Sequence, residues 1–293
     1  MRKIVIILSF IIANSFVYAQ SLRIGLIADC QYCNCDFSEK WNNNYRDSPA
    51  RLTAAVDKLN AIPTHITFHL GDFIDRDFTS FKVISPIYNS LSMPHYHLLG
   101  NHDFSVDDSL KSSVMDQLSL AKPYYVVSKN NWKFIVLDGT DVSVYNTTDK
   151  QKLQKADSLR KVYLNEGRTQ AKPWNGAIST TQLAWLDHEL ELADQANKNV
   201  IVLCHFPVFP SGNANLWNDV EVMTVLESHK SVKAFINGHH HPGNYAFQNG
   251  IHYLTLKGMV RSKKLNSFAD IELKSDRIIV TGYGREESRI LIF

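Results

Sequence analysis

Short apolar runs alternate with amphipathic segments along most of the chain. Apolar runs bounded by polar residues lie at 22–28, 65–70, 95–99, 199–204 and 232–236, and they predict buried β-strands. Apolar residues at helical spacing predict helices over 49–62, where Pro63 ends the pattern, over about 78–91 and 216–228, and after a capping box that begins at Ser179. Because strand, polar loop and helix recur in that order, the sequence predicts an α/β fold whose strand-end loops carry the chemistry.

The remaining segments are compatible with one domain. Strands at 124–127 and 132–137 predict a β-hairpin, and the polar stretch 148–165 predicts a solvated helical insertion. Short strands at 245–247, 251–256, 268–273 and 278–282 predict an antiparallel tail with turns at Asn249-Gly250 and Ser275-Asp276. The sequence contains no internal repeat, linker or low-complexity tract, so we expect a single domain over 20–293.

The N-terminus has the features of a secretory signal peptide. Arg2 and Lys3 precede an apolar stretch over 4–17, and small residues follow near Ala19. A transmembrane anchor is the alternative, but it requires ~20 apolar residues, and this stretch is shorter and interrupted by polar Ser9 and Asn14. We therefore predict a signal peptide over 1–19, no stable membrane insertion after its cleavage, and an exported protein that is periplasmic or secreted.

The charge composition excludes a broad electrostatic binding surface. Lys and Arg number 31 against 29 Asp and Glu, and the excess disappears without Arg2 and Lys3. A chain that is neutral on average lacks the basic face expected for nucleic acid or anionic membranes, so we expect no nucleic-acid partner. Any anion would have to bind at a local site, and the 12 histidines are a first indication of one.

The four cysteines do not form the framework of a disulfide-rich domain. Cys30, Cys33 and Cys35 are close together, whereas Cys204 lies far along the chain. Zinc and iron–sulfur sites usually require four thiolates in two pairs, so this spacing is weak evidence for either. In an oxidising compartment, a short-range disulfide or one between Cys30 and Cys204 is an alternative, but we expect buried free thiols.

Residue types that bind metal ions follow five of the predicted strands. They are Asp29 with Gln31, Asp72, Asn101 with His102, His205, and His239 with His241. Oxygen ligands combined with imidazoles suit Mn²⁺, Fe or Zn²⁺. Because alternate residues of an extended chain point to the same side, residues two positions apart could reach one site, and Cys30 would then turn into the core. One such residue alone is usually a hydrogen-bonded loop residue, but five such strand ends together predict a metal centre.

Taken in order, these motifs resemble those of the calcineurin-like metallophosphoesterase superfamily over nearly all of 20–293. The motifs are Asp29-x-Gln31, Gly71-Asp72-x-x-Asp75, Gly100-Asn101-His102-Asp103, His205 and Gly238-His239-x-His241. The resemblance implies a four-layer α/β/β/α sandwich with a dinuclear metal centre. Most members have His at the position of Gln31. Gln at this position, with the segments IGLIADCQY, LGDFID and GHHHPGNY, is similar to the manganese-dependent ADP-ribose/CDP-alcohol diphosphatase family.

The resemblance also implies which residues hold two divalent metal ions, Mn²⁺ being expected and Fe or Zn²⁺ the alternatives. Asp29, Gln31 and His241 would hold one ion. Asn101, His205 and His239 would hold the other, and Asp72 would bridge the two. The ions would leave a local positive charge for a phosphate group and would activate a hydroxide for attack on phosphorus. His102 would act as the general acid or stabilise the transition state, with Asp75 orienting it as the second member of a catalytic pair.

The function implied is hydrolysis of the phosphoanhydride in a small nucleoside diphosphate conjugate of the ADP-ribose or CDP-alcohol type. An exported phosphomonoesterase or phosphodiesterase of the same superfamily is one alternative. A metal-binding module without catalytic activity is another, although no expected ligand position is lost. A DNA-processing nuclease does not fit the neutral charge balance.

Several other residues have two interpretations. Arg76 follows Asp75 as in phosphoprotein phosphatases, where it would bind phosphate, but Asp77 stands where Gly is expected next, so we expect a surface arginine. Trp217 and Tyr245 could stack on a nucleobase or pack in the core. His240 lies between two predicted ligands and should point away from them. The other histidines are expected to be structural, namely His65, His69, His95, His97, His188, His229 and His252.

Overall fold

The computed structural model describes residues 21–293, so the signal peptide predicted over 1–19 lies outside the described residues. The strands in this range are β1 (Leu22–Ile27), β2 (Ile66–His69), β3 (His95–His97), β4 (Tyr125–Lys129), β5 (Trp132–Val136), β6 (Asn199–Leu203), β7 (Val232–Asn237), β8 (Asn244–Gln248), β9 (Ile251–Thr255), β10 (Ser267–Leu273), β11 (Arg277–Gly284) and β12 (Arg289–Ile292). The α-helices are α1 (Ser48–Asn60), α2 (Phe81–Tyr88), α3 (Val114–Gln117), α4 (Lys150–Asn165), α5 (Thr180–Gln195) and α6 (Asp219–Glu227).

The strands form two six-stranded sheets. The first has the order β12-β11-β10-β1-β2-β3 and the second the order β4-β5-β6-β7-β9-β8. In the first sheet β1, β2 and β3 are parallel, and in the second β5, β6, β7 and β9 are parallel. The carboxyl ends of each parallel set therefore meet at one edge of its sheet.

The two sheets pack face to face, with helices on both outer faces. Alternate apolar residues of β1 and β2, such as Ile24 and Phe68, join Phe134 and Ile201 of the second sheet in one buried cluster. A second cluster lies between the first sheet and α1 and α2, and a third lies between the second sheet and α5 and α6. These layers form the α/β/β/α sandwich in a single domain, which confirms the predicted fold class.

The predicted strands are confirmed within two residues at each end, but the tail differs in two respects. β9 is antiparallel to β8 but parallel to β7, so its carboxyl end joins the edge where β6 and β7 end. The edge strand β12 was not predicted. Its Ile290 and Ile292 are exposed, and the residues that alternate with them mark neither a turn nor the end of a strand.

The capping box predicted at Ser179 forms only in part. The Ser179 hydroxyl accepts a hydrogen bond from Gln182 N at 3.2 Å. The Gln182 side chain does not return to Ser179; instead it donates to the backbone oxygen of Asp138 and accepts from the backbone nitrogen of that residue. The interaction therefore anchors α5 to the end of β5.

The prediction of free thiols is correct for two cysteines and wrong for the other two. Cys30 and Cys204 are buried free thiols, and Cys30 packs against Met259 as expected for a side chain turned into the core. Cys33 and Cys35 form a disulfide. A short-range disulfide was the alternative to free thiols, and the structure places it between these two cysteines and leaves Cys30 free.

Within 21–293, no helix is both long enough and apolar enough to span a lipid bilayer.

Candidate metal centre

The predicted metal-binding residues lie in loops that follow parallel strands of both sheets. Asp29 follows β1, Asp72 follows β2 and Asn101 follows β3. His205 follows β6, and the His239–His241 segment follows β7. Since the sheets stack, both sets of strand ends converge, and the structure brings these residues together at the floor of one cleft, with Asp29 and His205 buried beneath it.

Several of these residues have a left-handed backbone, which is rare for residues with side chains. The φ angles are 53° for Asp29, 47° for Gln31, 55° for Asp72 and 62° for His239. The expectation that Asp29 and Gln31 share a side because the chain is extended is therefore wrong in its geometry, although both residues reach the site. Backbone strain of this kind concentrates at functional sites.

The loop after β2 depends on Gly71. Its φ is 91°, and a Cβ atom there would lie 2.6 Å from His205 Nδ1. A side chain at this position would push the loop away from His205. Glycine therefore allows the first sheet to approach the second at the site.

Five of the seven predicted ligands have a buried lone-pair atom without a hydrogen-bond partner. These atoms are Asp29 Oδ2, Gln31 Oε1, Asp72 Oδ2, Asn101 Oδ1 and His205 Nε2. Buried polar atoms in folded proteins are normally hydrogen-bonded. His205 Nε2 and Asp72 Oδ2 lie only 3.2 Å apart. This concentration of unpartnered lone pairs is the donor arrangement that a divalent cation would satisfy.

The ligand atoms form two groups that share one carboxylate. Asp72, His205 and His239 offer ligand atoms within 4.8 Å of one another, and so do Asp29, Asp72 and His241. Asp72 belongs to both groups, as expected for a carboxylate between two ions. Gln31 and Asn101 line the same cleft, next to these groups.

Each of the three imidazoles is oriented by an oxygen acceptor that selects one ring tautomer. His205 Nδ1 lies 2.8 Å from the backbone oxygen of Leu70, which can only accept, so Nδ1 carries the proton and Nε2 has the lone pair. His241 Nδ1 lies 3.3 Å from Asn43 Oδ1, which leaves Nε2 on the side of Asp29 Oδ1 at 3.5 Å. The free nitrogens therefore point towards the carboxylates of the site.

His239 has a corresponding partner in Asn175. Asn175 is fully buried, and its amide nitrogen donates to the backbone oxygens of Gln170 and Asn213, both at 2.8 Å. With both N–H groups used, Oδ1 must face His239 Nε2 at 2.9 Å and accept a hydrogen bond from its N–H group. The lone pair of His239 is then on Nδ1.

A second polar group lies beside the predicted ligands. His102 Nδ1 is 3.0 Å from Asp75 Oδ1, and His102 N donates to Asp72 Oδ1 at 2.8 Å. Burial alone would raise the pKa of Asp75, but hydrogen bonds from His102 and Arg76 outweigh it and hold the pKa below its usual range. For His102 burial acts in the opposite direction and lowers the pKa, because the charged form is the protonated one. The negative charges of Asp72 and Asp75 more than offset this effect and raise the pKa of His102 to about 9.

Asp103 holds two of these loops together. Its carboxylate accepts backbone hydrogen bonds from Gly100 at 2.9 Å, Asp72 at 3.1 Å, Phe73 at 2.8 Å and Ile74 at 3.2 Å. These bonds fix the loop after β2 against the loop after β3, so that Asp72 and Asn101 keep their relative positions.

The cleft above these residues has a volume of about 1160 Å³. The exposed side chains of Trp41 and Trp174 line it. Trp217, predicted as a possible stacking residue, is fully buried and donates to the backbone oxygen of Lys172. Tyr245 bonds His252 in β9 at 3.1 Å, outside the cleft. The packing interpretation therefore holds for both residues, and the aromatic rings in the cleft are different ones.

Two other sequence expectations concern Arg76 and His240. Arg76 lies at the cleft wall, where it pairs with Asp75 Oδ2 at 3.2 Å and covers the ring of Tyr45. His240 also borders the cleft, and its side chain belongs to neither group of ligand atoms.

Sequence reasoning missed Asn43, Asp103 and Asn175 as site residues. Asp103 could have been found, since a carboxylate directly after His102 in a buried loop needs several donors. Asn43 and Asn175 could not have been found, because the histidines that they bond are distant in sequence. Asn43 bonds His241, 198 positions away, and Asn175 bonds His239, 64 positions away.

The fold and the site define a class of hydrolase, and comparison with known proteins agrees. The model of the calcineurin-like phosphoesterase family matches residues 22–243, and the chain belongs to this family. It is therefore a metal-dependent phosphohydrolase.

Among relatives, the chain is 28% identical to the manganese-dependent ADP-ribose/CDP-alcohol diphosphatase of Danio rerio, over 92% of this chain and 97% of that protein. It is 26% identical to the mouse protein of the same name, over 91% of this chain and 92% of that protein. A crystal structure of a dimetal phosphatase from Danio rerio superposes with a TM-score of 0.83 at 27% identity, covering 93% of this chain and 99% of that one. A yellow lupin purple acid phosphatase shares the fold at a TM-score of 0.57 and 14% identity, covering 93% of this chain and 53% of that one.

Proposed function

We propose that this enzyme is a manganese-dependent diphosphatase that hydrolyses the phosphoanhydride bond of nucleoside diphosphate conjugates of the ADP-ribose or CDP-alcohol type. The observation that carries the proposal is the pair of ligand groups that share Asp72 on the floor of the cleft. The names of the Danio rerio and mouse relatives support the substrate class.

The residues of the site fit two divalent ions. Asp29, Gln31 and His241 would hold one, and Asn101, His205 and His239 the other, with Asp72 shared. The unpartnered lone pairs of five of these side chains support this assignment. When bound, the two ions would supply positive charge that neutralises phosphate oxygens and lowers the pKa of a water molecule.

His102 is placed to move a proton at its Nε2 atom. Its Nδ1 is occupied by Asp75, so the imidazole is fixed in orientation with Nε2 as the nitrogen left for the substrate. A general acid needs to lie within hydrogen-bond reach of the leaving oxygen, and the His102 side chain borders the cleft. Asp75 positions the imidazole and stabilises its protonated form.

The cleft can accommodate a substrate with two parts. Pockets for small molecules usually enclose ~300–1000 Å³, and this cleft is larger than that range at about 1160 Å³. Trp41 and Trp174 offer aromatic faces on which a nucleobase could stack. These features favour a nucleotide conjugate over a small phosphomonoester.

The exported location belongs to the same proposal. An enzyme carried out of the cytoplasm by the segment 1–19 would act on nucleotide conjugates outside it. The disulfide between Cys33 and Cys35 is consistent with an oxidising compartment.

A substrate panel tests the proposed function. The Mn²⁺-loaded chain would be assayed with ADP-ribose, CDP-choline, AMP and bis(p-nitrophenyl) phosphate, with products identified by chromatography and mass spectrometry. We expect kcat/KM to be highest for the two diphosphates, with AMP and CMP as the nucleotide products. Turnover of AMP or the aryl diester alone would contradict a diphosphatase and favour the phosphomonoesterase or phosphodiesterase alternative.

The role of His102 is tested by His102→Ala. General acid catalysis contributes ~100- to 10,000-fold to rates, so we expect a loss of kcat in this range with two Mn²⁺ ions still bound. His188→Ala is the matched control, because His188 is an exposed residue of α5 outside the cleft. Undiminished kcat in His102→Ala would remove the role.

A further inference from the structure

The cleft contains one arginine whose charge is not compensated. Arg76 and Arg261 both line the cleft, but Arg76 forms an ion pair with Asp75. Within 21–293, the Arg261 guanidinium makes no hydrogen bond and no ion pair. Asp36, another charged residue of the cleft wall, is paired with Arg46. Arg261 therefore brings an unpaired positive charge to the wall of the cleft, separate from the candidate metal ligands on its floor.

Arg261 belongs to a turn that follows β9 and contacts the predicted metal ligands. Because β9 is parallel to β7, this turn lies at the same sheet edge as the His239–His241 loop. Gly258 begins the turn, and a Cβ atom placed there would lie 2.8 Å from His241 Cδ2 and 3.2 Å from Asp29 Cβ. Val260 N donates to the backbone oxygen of Asp29 at 2.9 Å.

Arg261 itself is fixed to this framework through its backbone. Its N–H donates to the backbone oxygen of Gly258 at 3.2 Å, which closes the turn. Arg261 also pairs with Asn43 in an isolated β-bridge, and the Asn43 side chain bonds His241. The start of the Arg261 side chain is therefore set relative to the metal centre.

Two other arginines stabilise the turn from below. Arg51 Nη1 donates to the backbone oxygen of Met259 at 2.8 Å, and its Nη2 donates to that of Ser262 at 2.5 Å. Arg285 Nη2 donates to the backbone oxygen of Gly258 at 2.7 Å. Both guanidinium groups are used to hold carbonyl groups of the turn, and of these three arginines Arg261 is the one that lines the cleft.

We propose that Arg261 is a binding residue for the second phosphate group of the substrate, the one not attacked at the metal centre. This inference rests on the proposed function, since a substrate with a single phosphorus would have no such group. A guanidinium matches two phosphate oxygens with two parallel N–H donors and stays charged at every physiological pH. Its position at the cleft wall, on the turn that contacts His241 through Gly258, would select diphosphates over esters of a single phosphate.

The experiment compares wild type, Arg261→Gln and Arg261→Lys on ADP-ribose, CDP-choline and bis(p-nitrophenyl) phosphate. A hydrogen bond to a charged group contributes ~1.5–3 kcal/mol, which corresponds to a ~10- to 140-fold rise in KM for the diphosphates. We expect kcat to change less than KM, kcat/KM for the aryl diester to be unchanged, and Arg261→Lys to recover part of the affinity. Arg277→Gln is the control, because Arg277 is a surface arginine paired with Asp276 outside the cleft.

Inhibition constants give a second measurement that does not depend on diphosphate turnover. At fixed free Mn²⁺, Arg261→Gln should weaken competitive inhibition by pyrophosphate of aryl diester hydrolysis and leave inhibition by orthophosphate unchanged. The role of Arg261 would be overturned if Arg261→Gln weakened the binding of all substrates and both inhibitors equally. It would also be overturned if the variant bound the diphosphates and pyrophosphate as tightly as wild type does. Wild type that cleaves only the aryl diester would refute the proposed function instead, and the pyrophosphate comparison would still decide the role of Arg261.

Discussion

The hydrogen bond from His239 to Asn175 leads to a prediction about metal affinity. In Asn175→Ala the imidazole loses the acceptor that fixes its tautomer, at 2.9 Å, and the backbone oxygens of Gln170 and Asn213 lose their shared donor, at 2.8 Å each. Loss of such a partner behind a metal-binding histidine lowers metal affinity by ~10- to 100-fold, equivalent to ~1.4–2.7 kcal/mol. The backbone oxygen of Gln170 keeps its bond from Lys172 N at 2.6 Å, and Asn213 is exposed. The two lost hydrogen bonds would therefore each cost ~0.5–1.5 kcal/mol of folding stability.

Two measurements separate these effects. Mn²⁺ dissociation constants would be obtained by calorimetric titration, and free energies of unfolding by urea denaturation in the presence of a chelator. We expect one of the two Mn²⁺ sites to weaken in Asn175→Ala, namely the one that includes His239. Asn175→Asp, which keeps an oxygen facing His239 Nε2, should retain most of the affinity although it loses the two donors and therefore stability.

Asn218→Ala is the matched control for a buried asparagine. Asn218 bonds both backbone groups of Ile178, at 2.8 and 3.0 Å, and does not line the cleft. It should lose stability and keep both Mn²⁺ affinities. If Asn175→Ala behaved in the same way as Asn218→Ala, the argument that Asn175 controls the tautomer of His239 would be refuted.

Three further predictions concern stability and processing. Burial alone would lower the pKa of His229, but Asp187 and Asp194 bond its two ring nitrogens and raise its pKa above the ordinary value. The two ion pairs therefore stabilise the fold fully below the unfolded pKa of ~6.5. Their contribution declines as the pH rises through the folded pKa. The difference in unfolding free energy between wild type and His229→Gln should accordingly be larger at pH 6 than at pH 9, and a constant difference would contradict this. Mn²⁺ at 100 times its dissociation constant should stabilise the fold by ~2.7 kcal/mol per site, measurable by thermal denaturation, and an unchanged midpoint would contradict binding to the folded state. The N-terminus of the chain recovered from the exported fraction should lie near Gln20 by mass spectrometry, and a retained Met1 would contradict the signal peptide.

The repeating pattern of strands and helices was sufficient to predict the α/β layers and most of the strands. It could not give the direction of β9, because a short apolar strand looks the same in parallel and antiparallel pairing. That direction brings the turn with Arg261 to the cleft, so the sequence provided no reason to select Arg261.

The sequence also predicted that the candidate metal ligands meet at one site, but not how the backbone brings them there. Asp29 and Gln31 were expected to share a side in extended chain, whereas both adopt left-handed conformations. Trp217 was considered as a cleft residue, yet it is fully buried while Trp41 and Trp174 line the cleft. Burial of an aromatic side chain depends on contacts distant in sequence, and these are absent from any local pattern.

The account depends most on two metal ions bridged by Asp72. Electron paramagnetic resonance of the chain titrated with Mn²⁺ tests this directly, because two Mn²⁺ ions that share a carboxylate at the ~3.5–4 Å separation of two-metal sites are magnetically coupled. We predict two Mn²⁺ ions per chain with a coupled spectrum at saturation, which Asp72→Ala should lose. A single bound ion, or two ions with the spectrum of isolated Mn²⁺, would contradict the dinuclear centre.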